Sequence, residues 1–302
     1  MTSKGVNGDP SSSSSATPLM ARMLKALDLC PGMRVLEIGA GSGYNAALIT
    51  TITGAPVVTV DAGKNTAREA AESIHLLGLD DRVTVHHSNG YLGAPDEGPF
   101  DRIIVTCGIA GIPPRWFDQL TPDGTILAPI THGGVHPIFT VRPGTPPRAE
   151  ARLWADFMTA AGPLGPAILF RHDPAQAIPA SPLTRFPEIS PALTAAEYND
   201  LWFFLAIRDE ATTRAYPADD ALDLSQGMCA LVDPYLGVAW TRYDGSIVTP
   251  EGQDDTLRLH LTDYTRSWHD LGKPRLSTWN CKLVTTRTAN PLYLPDHRTW
   301  TS

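Results

Sequence analysis

The sequence has few cysteines, and it lacks long hydrophobic runs and clusters of positive charge. Its four cysteines are scattered over 302 residues without a C-x-x-C pair, which predicts a reducing, cytoplasmic setting rather than a disulfide scaffold. No apolar segment approaches the ~18 residues that a membrane-spanning helix needs, and the polar, Ser-rich start is unlike a signal peptide. The net charge of −8 argues against nucleic-acid and anionic-membrane partners, because both select for clustered lysine and arginine.

Glycine is concentrated at one place near the start of the chain, directly after an apolar run. The run Val35–Ile38 has the composition of a buried parallel strand, and Gly39, Gly41 and Gly43 follow it. Such a turn into a helix lets a ligand approach bare backbone. A dinucleotide fingerprint requires a third glycine at Tyr44, which disfavours a nicotinamide dehydrogenase. The pattern E-x-G-x-G-x-G is similar instead to motif I of the Rossmann-like methyltransferases, which bind S-adenosylmethionine; tight-turn glycines without a ligand are the alternative.

An acidic residue follows the glycine run at the spacing that is typical of nucleotide-binding units. Pro56–Asp61 is a second short apolar run that ends in an acid 18 residues after Gly43. In nucleotide-binding α/β units, an acid at about this distance accepts hydrogen bonds from ribose hydroxyls. Asp61 is therefore predicted to bind a ribose, and an ordinary acid at a helix start is the alternative.

Strand and helix patterns alternate through the first half of the chain. Helices are predicted over 18–28 and 44–53, and a third from the capping box at Thr66 to Gly78. Strands are predicted at 35–38, 56–61, 83–87, 101–106 and 126–130, followed by an antiparallel pair at 136–141 and 152–159. This order predicts an α/β class with a Rossmann-like seven-stranded methyltransferase sheet, whose ligands bind at the carboxyl ends of the parallel strands.

Proline divides the chain. Five prolines between Arg171 and Ala192 are incompatible with a helix or a central strand, which predicts a linker. The predicted domains are a disordered tail at 1–14, a methyltransferase domain at 15–168, the linker at 169–193 and a C-terminal α+β accessory domain at 194–302. A capping box at Thr194, a hairpin at Asp244-Gly245 and an apolar stripe over 257–271 support the last domain. Five of the seven tryptophans lie there, which indicates a core or, alternatively, a peptide groove.

Five motifs in order resemble the protein-L-isoaspartate O-methyltransferases, over roughly residues 12–165. They are S-A-T-P-L-M-A-R-M from Ser15, R-V-L-E-I-G from Arg34, N-G-Y-L-G from Asn89, P-F-D-R-I-I-V-T from Pro99, and I-P-P with Q-L and D-G between Ile112 and Gly124. The family transfers a methyl group from S-adenosylmethionine to a peptide carboxylate, typically isoaspartate. The resemblance thus implies S-adenosylmethionine as cofactor and, as partner, a protein or peptide with an aspartyl or isoaspartyl carboxylate.

The resemblance also implies the site. Ser15 falls on the family's active-site serine and is the predicted catalytic residue. The predicted cofactor-binding residues are Glu37, Gly39, Ala40, Gly41, Gly43, Tyr44, Asp61, Ala62, Asn89 and Gly90. Asn89 replaces an acid that faces the adenine amino group in the family, and its carbonyl can still accept from that amine. Fewer residues precede Ser15 than in family members, where that segment helps to build the peptide-binding surface; a dedicated peptide-tailoring role, with the C-terminal domain holding the acceptor, would suit this difference.

The chemistry asks little of the side chains. A carboxylate is ionised at neutral pH, so methyl transfer needs no general base and no compact His–Asp dyad is expected in this half. No metal site is expected either, because His86 and His87 point to opposite faces of a strand, and His132 and His136 lack ligand spacing. Cys107 is expected to be a small buried residue, or else to border the ligand. A catalytically idle cofactor-binding protein that acts through its C-terminal domain is the second hypothesis, disfavoured by the retained motif I and Asp61.

Overall fold

The chain divides into two compact units. The computed structural model describes residues 2–4, 10–13, 17–165, 182–187, 190–217 and 222–302. Unit 1 comprises Met1–Ile130, His136–Pro166 and Asn280–Thr299, and unit 2 comprises Thr131–Val135, Ala167–Trp279 and Trp300–Ser302. Most of unit 2 is therefore inserted, along the chain, between two segments of unit 1. No helix within the described ranges has both the length and the apolar character required to cross a bilayer.

The elements are numbered in chain order. The strands of the described residues are β1 Thr2–Lys4, β2 Pro10–Ser13, β3 Val35–Ile38, β4 Val57–Asp61, β5 Val83–His87, β6 Phe100–Val105, β7 Leu120–Pro129, β8 Ile138–Arg142, β9 Arg148–Leu153, β10 Leu183–Phe186, β11 Thr212–Arg214, β12 Cys229–Asp233, β13 Gly237–Thr241, β14 Ile247–Pro250, β15 Asn280–Thr285 and β16 Tyr293–Pro295. The α-helices are α1 Thr17–Leu27, α2 Tyr44–Thr53, α3 Lys64–Leu76, α4 Pro114–Phe117, α5 Ala195–Arg208 and α6 Thr256–Asp270.

Unit 1 is built on one mixed sheet. Its nine strands have the order β16-β15-β9-β8-β7-β6-β3-β4-β5. The strands from β5 to β7 in this order pair in parallel, and those from β7 to β16 pair antiparallel. The predicted Rossmann-like methyltransferase sheet is confirmed, and its seven strands are extended by β15 and β16 from near the C-terminal end of the chain. We call the edge formed by the carboxyl ends of β3 to β7 the carboxyl edge.

Continuous apolar runs produce the centre of this sheet. Val35 and Leu36 of β3, and Ile104 of β6, have no exposed surface, as expected for parallel strands covered on both faces. Met23 of α1 and Ile49 of α2 belong to one core cluster with Val35 and Ile104. Burial of each such side chain contributes about 1.5–3 kcal/mol, so these contacts hold the sheet that positions the carboxyl edge.

The helices that follow β3 and β4 begin at the carboxyl edge. Helix α2 has the predicted bounds and ends at Gly54, whose φ of 64° gives the left-handed C-cap that glycine favours. Helix α3 begins at Lys64, two residues before the predicted capping box at Thr66. The reason is local, because Asp61 accepts a hydrogen bond from Gly63 N at 2.8 Å and thereby fixes the turn before the helix.

Unit 2 has a separate, all-antiparallel sheet of five strands in the order β10-β14-β13-β12-β11, together with α5 and α6. The capping box predicted at Thr194 is confirmed: Thr194 Oγ1 accepts from Glu197 N at 3.2 Å, and Glu197 Oε2 accepts from Thr194 N at 3.0 Å. Trp240 and Trp268 have no exposed surface. These two tryptophans belong to a core, which is the first of the two predicted interpretations.

The unit boundaries differ from the predicted domains at three places. Strand β10 lies inside the predicted linker, as an edge strand with Pro182 and Pro187 at its ends, where a missing amide donor is tolerated. Strands β15 and β16 were assigned by sequence to the accessory domain at 194–302, yet β15 pairs with β9 of unit 1. The predicted disordered tail contains β1 and β2, which pair with each other; such a ribbon requires only backbone hydrogen bonds.

Candidate functional site

The glycine run forms a left-handed loop at the carboxyl edge. Gly39, Gly41 and Gly43 have φ values of 101°, 53° and 78°, which favour glycine over residues with a Cβ. A Cβ at Gly39 would lie 2.5 Å from Thr106 Oγ1, and one at Gly43 would lie 3.0 Å from Ala70 O. At Gly41, in contrast, a Cβ would meet no atom within 4 Å. The loop is thus packed at both ends and open in its middle, where a ligand can lie against the backbone.

The carboxylate of Asp61 lies beside this open backbone. Strands β3 and β4 are neighbours with Ile38 opposite Val60, so Asp61 follows at the same edge as the loop. Asp61 Oδ1 accepts from Gly63 N at 2.8 Å, and Oδ2 accepts from Gly41 N at 3.3 Å. An ionised carboxylate has about four lone-pair sites, so acceptor capacity remains for ligand hydroxyls. Ala62, also predicted to bind, follows Asp61 and is exposed.

Glu37 lies beneath the loop rather than in its opening. Its side chain is fully buried, and its two oxygens accept from Asn45 Nδ2 and Thr59 Oγ1, each at 2.7 Å. Burial raises the pKa of Glu37 to about 7; the two hydrogen bonds oppose this rise, and the charge of Asp61 adds to it. The sequence predicts that Glu37 binds the cofactor, whereas the structure shows its carboxylate joining β3 to α2 and β4. These hydrogen bonds tie β3, which leads into the loop, to α2 and β4.

The segment after β5 completes the edge on the other side. Ser88 N donates to Asp61 O at 3.0 Å, which ties this segment to β4. Asn89 is exposed, and its Oδ1 accepts from Tyr91 N at 3.0 Å, capping a 3-10 helix at Gly90–Leu92. The oxygen expected to face an adenine amine thus already has one protein donor and keeps one lone pair. A Cβ at Gly90 would lie 2.9 Å from Ile38 Cγ2, so close packing requires glycine there.

The 3-10 helix at Gly90–Leu92 is held by residues that sequence reasoning did not assign to the site. Trp116 Nε1 donates to Gly90 O at 3.1 Å, and Gln119 Nε2 donates to Leu92 O at 2.9 Å. Tyr91 Oη donates to Pro291 O at 3.0 Å across 200 positions of sequence. Trp116 and Gln119 lie in or near the I-P-P and Q-L motifs. These motifs indicate the family resemblance but do not indicate that the two side chains hold the 3-10 helix. No local sequence pattern indicates the contact between Tyr91 and Pro291, because the two residues are 200 positions apart.

The end of β6 also borders the loop. Thr106 Oγ1 donates to Gly39 O at 2.7 Å. Burial raises the pKa of Cys107 to about 12, with further contributions from the negative charges of Asp61 and Glu37. The thiol therefore stays protonated and is not a nucleophile, in agreement with the expectation of a small, largely buried residue.

A His–Asp pair lies in this half, where the sequence analysis expected none. His136 Nδ1 is 3.0 Å from Asp156 Oδ1. The antiparallel strands β8 and β9 bring the two residues together although 20 positions separate them, which is why local spacing gave no sign of the pair. His132, in unit 2, lies 3.0 Å through Nε2 from Phe203 O, and His86 pairs with Glu97 at 3.1 Å. Within the described ranges, no group of three or more His, Cys, Asp or Glu residues has the arrangement of a metal site.

The remaining predicted residues have distinct environments. Ala40 is buried at 4% exposure, and the ring of Tyr44, the first residue of α2, is 50% exposed. Ser15 lies outside the described residues. The structure thus gathers Gly39, Gly41, Gly43 and Asp61 around one opening, with Asn89 and Gly90 beside it.

Comparison with known proteins agrees with this geometry. A family model described as protein-L-isoaspartate(D-aspartate) O-methyltransferase matches residues 5–147. A protein-L-isoaspartate O-methyltransferase of Thermotoga maritima is 38% identical over 126 residues, which are 41% of this chain and 39% of that protein. One from Hyperthermus butylicus is 40% identical over 126 residues, 38% of this chain and 52% of that protein. The matched part thus spans about 39–52% of the length of these curated relatives.

A solved structure extends the likeness in fold beyond unit 1. A protein-L-isoaspartate O-methyltransferase superposes with a TM-score of 0.51 and 24% identity, covering 95% of this chain and 81% of that chain. Because unit 1 holds fewer than two thirds of the residues, an alignment of this extent also includes unit 2. Residues 5–147, which include the glycine loop and Asp61, are thus similar to the protein-L-isoaspartate O-methyltransferase family.

Proposed function

We propose that unit 1 binds S-adenosylmethionine at the carboxyl edge and transfers its methyl group to an aspartyl or isoaspartyl carboxylate of a protein or peptide. The observation that carries this proposal is the open backbone at Gly41 beside the carboxylate of Asp61. That arrangement offers a surface for a nucleoside and an acceptor for its ribose hydroxyls. The names of the relatives, all protein-L-isoaspartate O-methyltransferases, support the acceptor class.

Each residue of the edge has a defined task in this proposal. Asp61 accepts hydrogen bonds from the ribose hydroxyls, the backbone of Gly39–Gly43 lies against the cofactor, and Asn89 and Gly90 flank the adenine. Glu37 holds the glycine loop in the conformation that leaves Gly41 open. The bound cofactor supplies an activated methyl group.

The transfer itself requires no proton movement from the protein. A carboxylate oxygen of the acceptor forms a bond to the methyl carbon, the carbon–sulfur bond breaks, and its electron pair stays on sulfur. Because the acceptor is already ionised at neutral pH, the protein contributes alignment and the removal of water. The raised pKa of Cys107 fits this scheme, since no nucleophile of the protein takes part. Ser15 is proposed, from the family resemblance, to orient the acceptor.

Two measurements test the proposal. Calorimetry with S-adenosylhomocysteine should show saturable binding that NAD does not displace. Incubation with labelled S-adenosylmethionine and an isoaspartyl peptide should give methyl groups that mild alkali releases as methanol, because the product is an ester. Alkali-stable methylation would instead identify nitrogen or carbon as the acceptor and would reject the carboxylate.

A dedicated peptide substrate, held or oriented by unit 2, is the narrower form of this proposal. The full-length chain and an isoaspartyl peptide of arbitrary sequence provide the test. A general repair enzyme should methylate unrelated isoaspartyl peptides with similar kcat/KM, whereas a tailoring enzyme should favour one precursor sequence. A short precursor gene beside this one would supply the candidate peptide.

A further inference from the structure

The His136–Asp156 pair lies where three strand ends of unit 1 meet. His136 precedes β8, next to the end of β7, and Asp156 follows β9, which runs parallel to β7 because β8 is antiparallel to both. Gly108, in contact with the histidine, follows the end of β6. The pair is therefore at the carboxyl edge, where ligands of such sheets bind. The mechanism derived above does not use it.

The histidine ring is packed directly against backbone. The side chain of His136 is 2% exposed and that of Asp156 is 37% exposed. A Cβ at Gly108 would lie 2.5 Å from His136 Nε2, so only glycine admits the ring at this distance. Gly108 N donates to Met158 O at 2.8 Å, and Gly108 O accepts from Ala160 N at 2.7 Å. Both backbone groups of Gly108 are occupied, and neither serves Nε2.

Among the described residues, the outer nitrogen of this ring has no hydrogen-bond partner. Because Asp156 is an acceptor, Nδ1 of His136 carries the hydrogen between them. Nε2 is buried and receives no hydrogen bond from the part of the chain that the structure describes. Polar side-chain atoms in this state are uncommon in folded proteins, and a group absent from the resting structure is one explanation for them. A His–Asp pair directs its free nitrogen toward such a group with a fixed ring orientation.

The residues that follow β6 connect the His136–Asp156 pair to the glycine loop. Thr106, two residues before Gly108, donates to the backbone oxygen of Gly39. Cys107, between them, is close enough to the carboxylates of Asp61 and Glu37 for their charges to act on its thiol. The residues that follow β6 therefore contact both the His136 ring, through Gly108, and the glycine loop, through Thr106. The cofactor is proposed to lie against the backbone of that loop.

We propose that Nε2 of His136 donates a hydrogen bond to the acceptor carboxylate and so distinguishes an acidic acceptor from a neutral one. This inference rests on the proposed methyl transfer. In the proposed complex both ring nitrogens carry a hydrogen: Nδ1–H is bonded to Asp156, and Nε2–H is donated to one carboxylate oxygen while the other oxygen attacks the methyl carbon. No proton is transferred; the carbon–oxygen bond forms as the carbon–sulfur bond breaks.

Access to Nε2 depends on the segment that follows Asp156. This segment pairs with residues 108–110 through Met158 O, Ala160 N and Leu164 O, beside the Gly108 backbone on which the ring packs. The acceptor reaches Nε2 when the segment is displaced. Nε2 of His136 then gains a hydrogen-bond partner.

Substitutions at His136 and Asp156 separate this role from a structural one. His136→Leu removes the donor, His136→Gln retains an amide N–H donor, and Asp156→Asn removes the carboxylate that holds Nδ1–H and orients the ring. The readout is the ratio of affinities for an isoaspartyl peptide and for the isoasparaginyl peptide of the same sequence, which has no carboxylate. We expect the wild type to favour the acid at least ~10-fold, His136→Leu less than ~2-fold, and the other two variants to fall between.

Controls keep the outcomes distinct. The exposed pair of His75 and Asp80, 3.1 Å apart on the surface, provides a matched control, and His75→Leu should leave the ratio unchanged. S-adenosylhomocysteine affinity of every variant should stay within ~2-fold of the wild type. If His136→Leu does not fold, the partly exposed Asp156→Asn still tests the charge. A wild-type acid preference that persists in the folded variants overturns this inference alone, whereas a wild type that binds no S-adenosylhomocysteine overturns the proposed function.

Discussion

Both units place an aspartate at the end of a strand, yet of these two aspartates only the one in unit 1 reaches the loop that follows a neighbouring strand. In unit 2, Asp233 ends β12, and its Oδ1 accepts from Tyr235 N at 2.8 Å and from Leu236 N at 3.0 Å within its own turn. In unit 1, Asp61 ends β4 and reaches Gly41 N in the loop of the neighbouring strand.

The difference follows from strand direction. In an antiparallel hairpin, the chain turns directly from the end of one strand into the next. An acid at that end therefore accepts hydrogen bonds from backbone amides of its own turn. Parallel strands instead leave their carboxyl ends side by side, and an acid there faces the loop that follows another strand. An acid after a strand is therefore informative about function only when the sheet is known to be parallel.

The largest effect is expected from removing β15 and β16, the two strands of unit 1 that follow most of unit 2 along the chain. A chain that ends near Phe170 lacks β15 and β16 and the carbonyl of Pro291 that accepts from Tyr91. We expect it to be insoluble or to lose S-adenosylhomocysteine binding entirely. A soluble fragment with wild-type affinity in calorimetry would show that the outer strands are dispensable to unit 1.

Two matched tryptophans sharpen the comparison between the units. Trp116 of unit 1 and Trp240 of unit 2 are both fully buried, and each donates from Nε1 to a backbone oxygen at 3.1 Å, Gly90 O and Ala215 O respectively. Replacement of either by Ala should cost about 3–5 kcal/mol of stability in denaturant unfolding.

The milder substitutions separate the units by function. Trp116→Phe should weaken S-adenosylhomocysteine binding, because Gly90 loses a hydrogen bond that positions it, whereas Trp240→Phe should not. Equal loss of affinity in both Phe variants would contradict the assignment of cofactor binding to unit 1 alone.

The buried Glu37 gives unit 1 a pH dependence that a solvated acid would not produce. Its folded pKa of about 7 lies above the ordinary glutamate pKa of 4.5, so the folded state retains the proton to higher pH than the unfolded state. This contribution to stability is complete below pH 4.5 and is lost as pH rises toward 7. Relative to Glu37→Gln, the wild type should lose up to ~3 kcal/mol over this range. Parallel urea titrations of the two proteins at pH 4.5, 6 and 7.5 measure the difference, and a constant difference would contradict the raised pKa.

Asp61→Ala tests the acid that distinguishes unit 1. Loss of its contact with the ribose hydroxyls should weaken S-adenosylhomocysteine binding by about 1.5–3 kcal/mol, which is roughly ten- to a hundredfold. Asp233→Ala is the control from unit 2, with unchanged affinity expected. Calorimetry that shows equal affinities for wild type and Asp61→Ala would remove Asp61 from the site.

The smallest effect is expected at the hydroxyl of Tyr91. Tyr91→Phe keeps the ring beneath the guanidinium of Arg115, 5.3 Å from its centroid, and removes only the hydrogen bond to Pro291 O. We expect about 0.5–1.5 kcal/mol of lost cofactor affinity, roughly two- to tenfold. Tyr198→Phe, which removes a similar hydroxyl bond to Thr241 O in unit 2, should leave cofactor affinity unchanged.

Sequence reasoning succeeded where the determinants are local. The run Val35–Ile38 and the glycines after it specify a strand, a turn and a helix within 20 residues, and α2 has the predicted bounds. The position of Asp61 follows from the regular length of a βα unit. The Thr194 capping box is likewise complete within four residues.

It failed where the contacts join distant parts of the chain. For Glu37, the motif shows that an acid is present but not that Asn45 and Thr59 donate to its two oxygens. The His136–Asp156 pair depends on the register of β8 against β9. The pairing of β15 with β9 depends on a return of the chain after unit 2, which no periodicity within 280–285 reveals.

That return of the chain has a consequence for synthesis on the ribosome. Residues 280–295, which carry β15 and β16, are translated only after the whole of the inserted segment Ala167–Trp279. During that interval β9 is an open edge of the unit 1 sheet, with unpaired backbone groups available to other chains. The nascent protein is therefore expected to pass through a stage at which this edge can pair with other chains, until β15 is made and covers it.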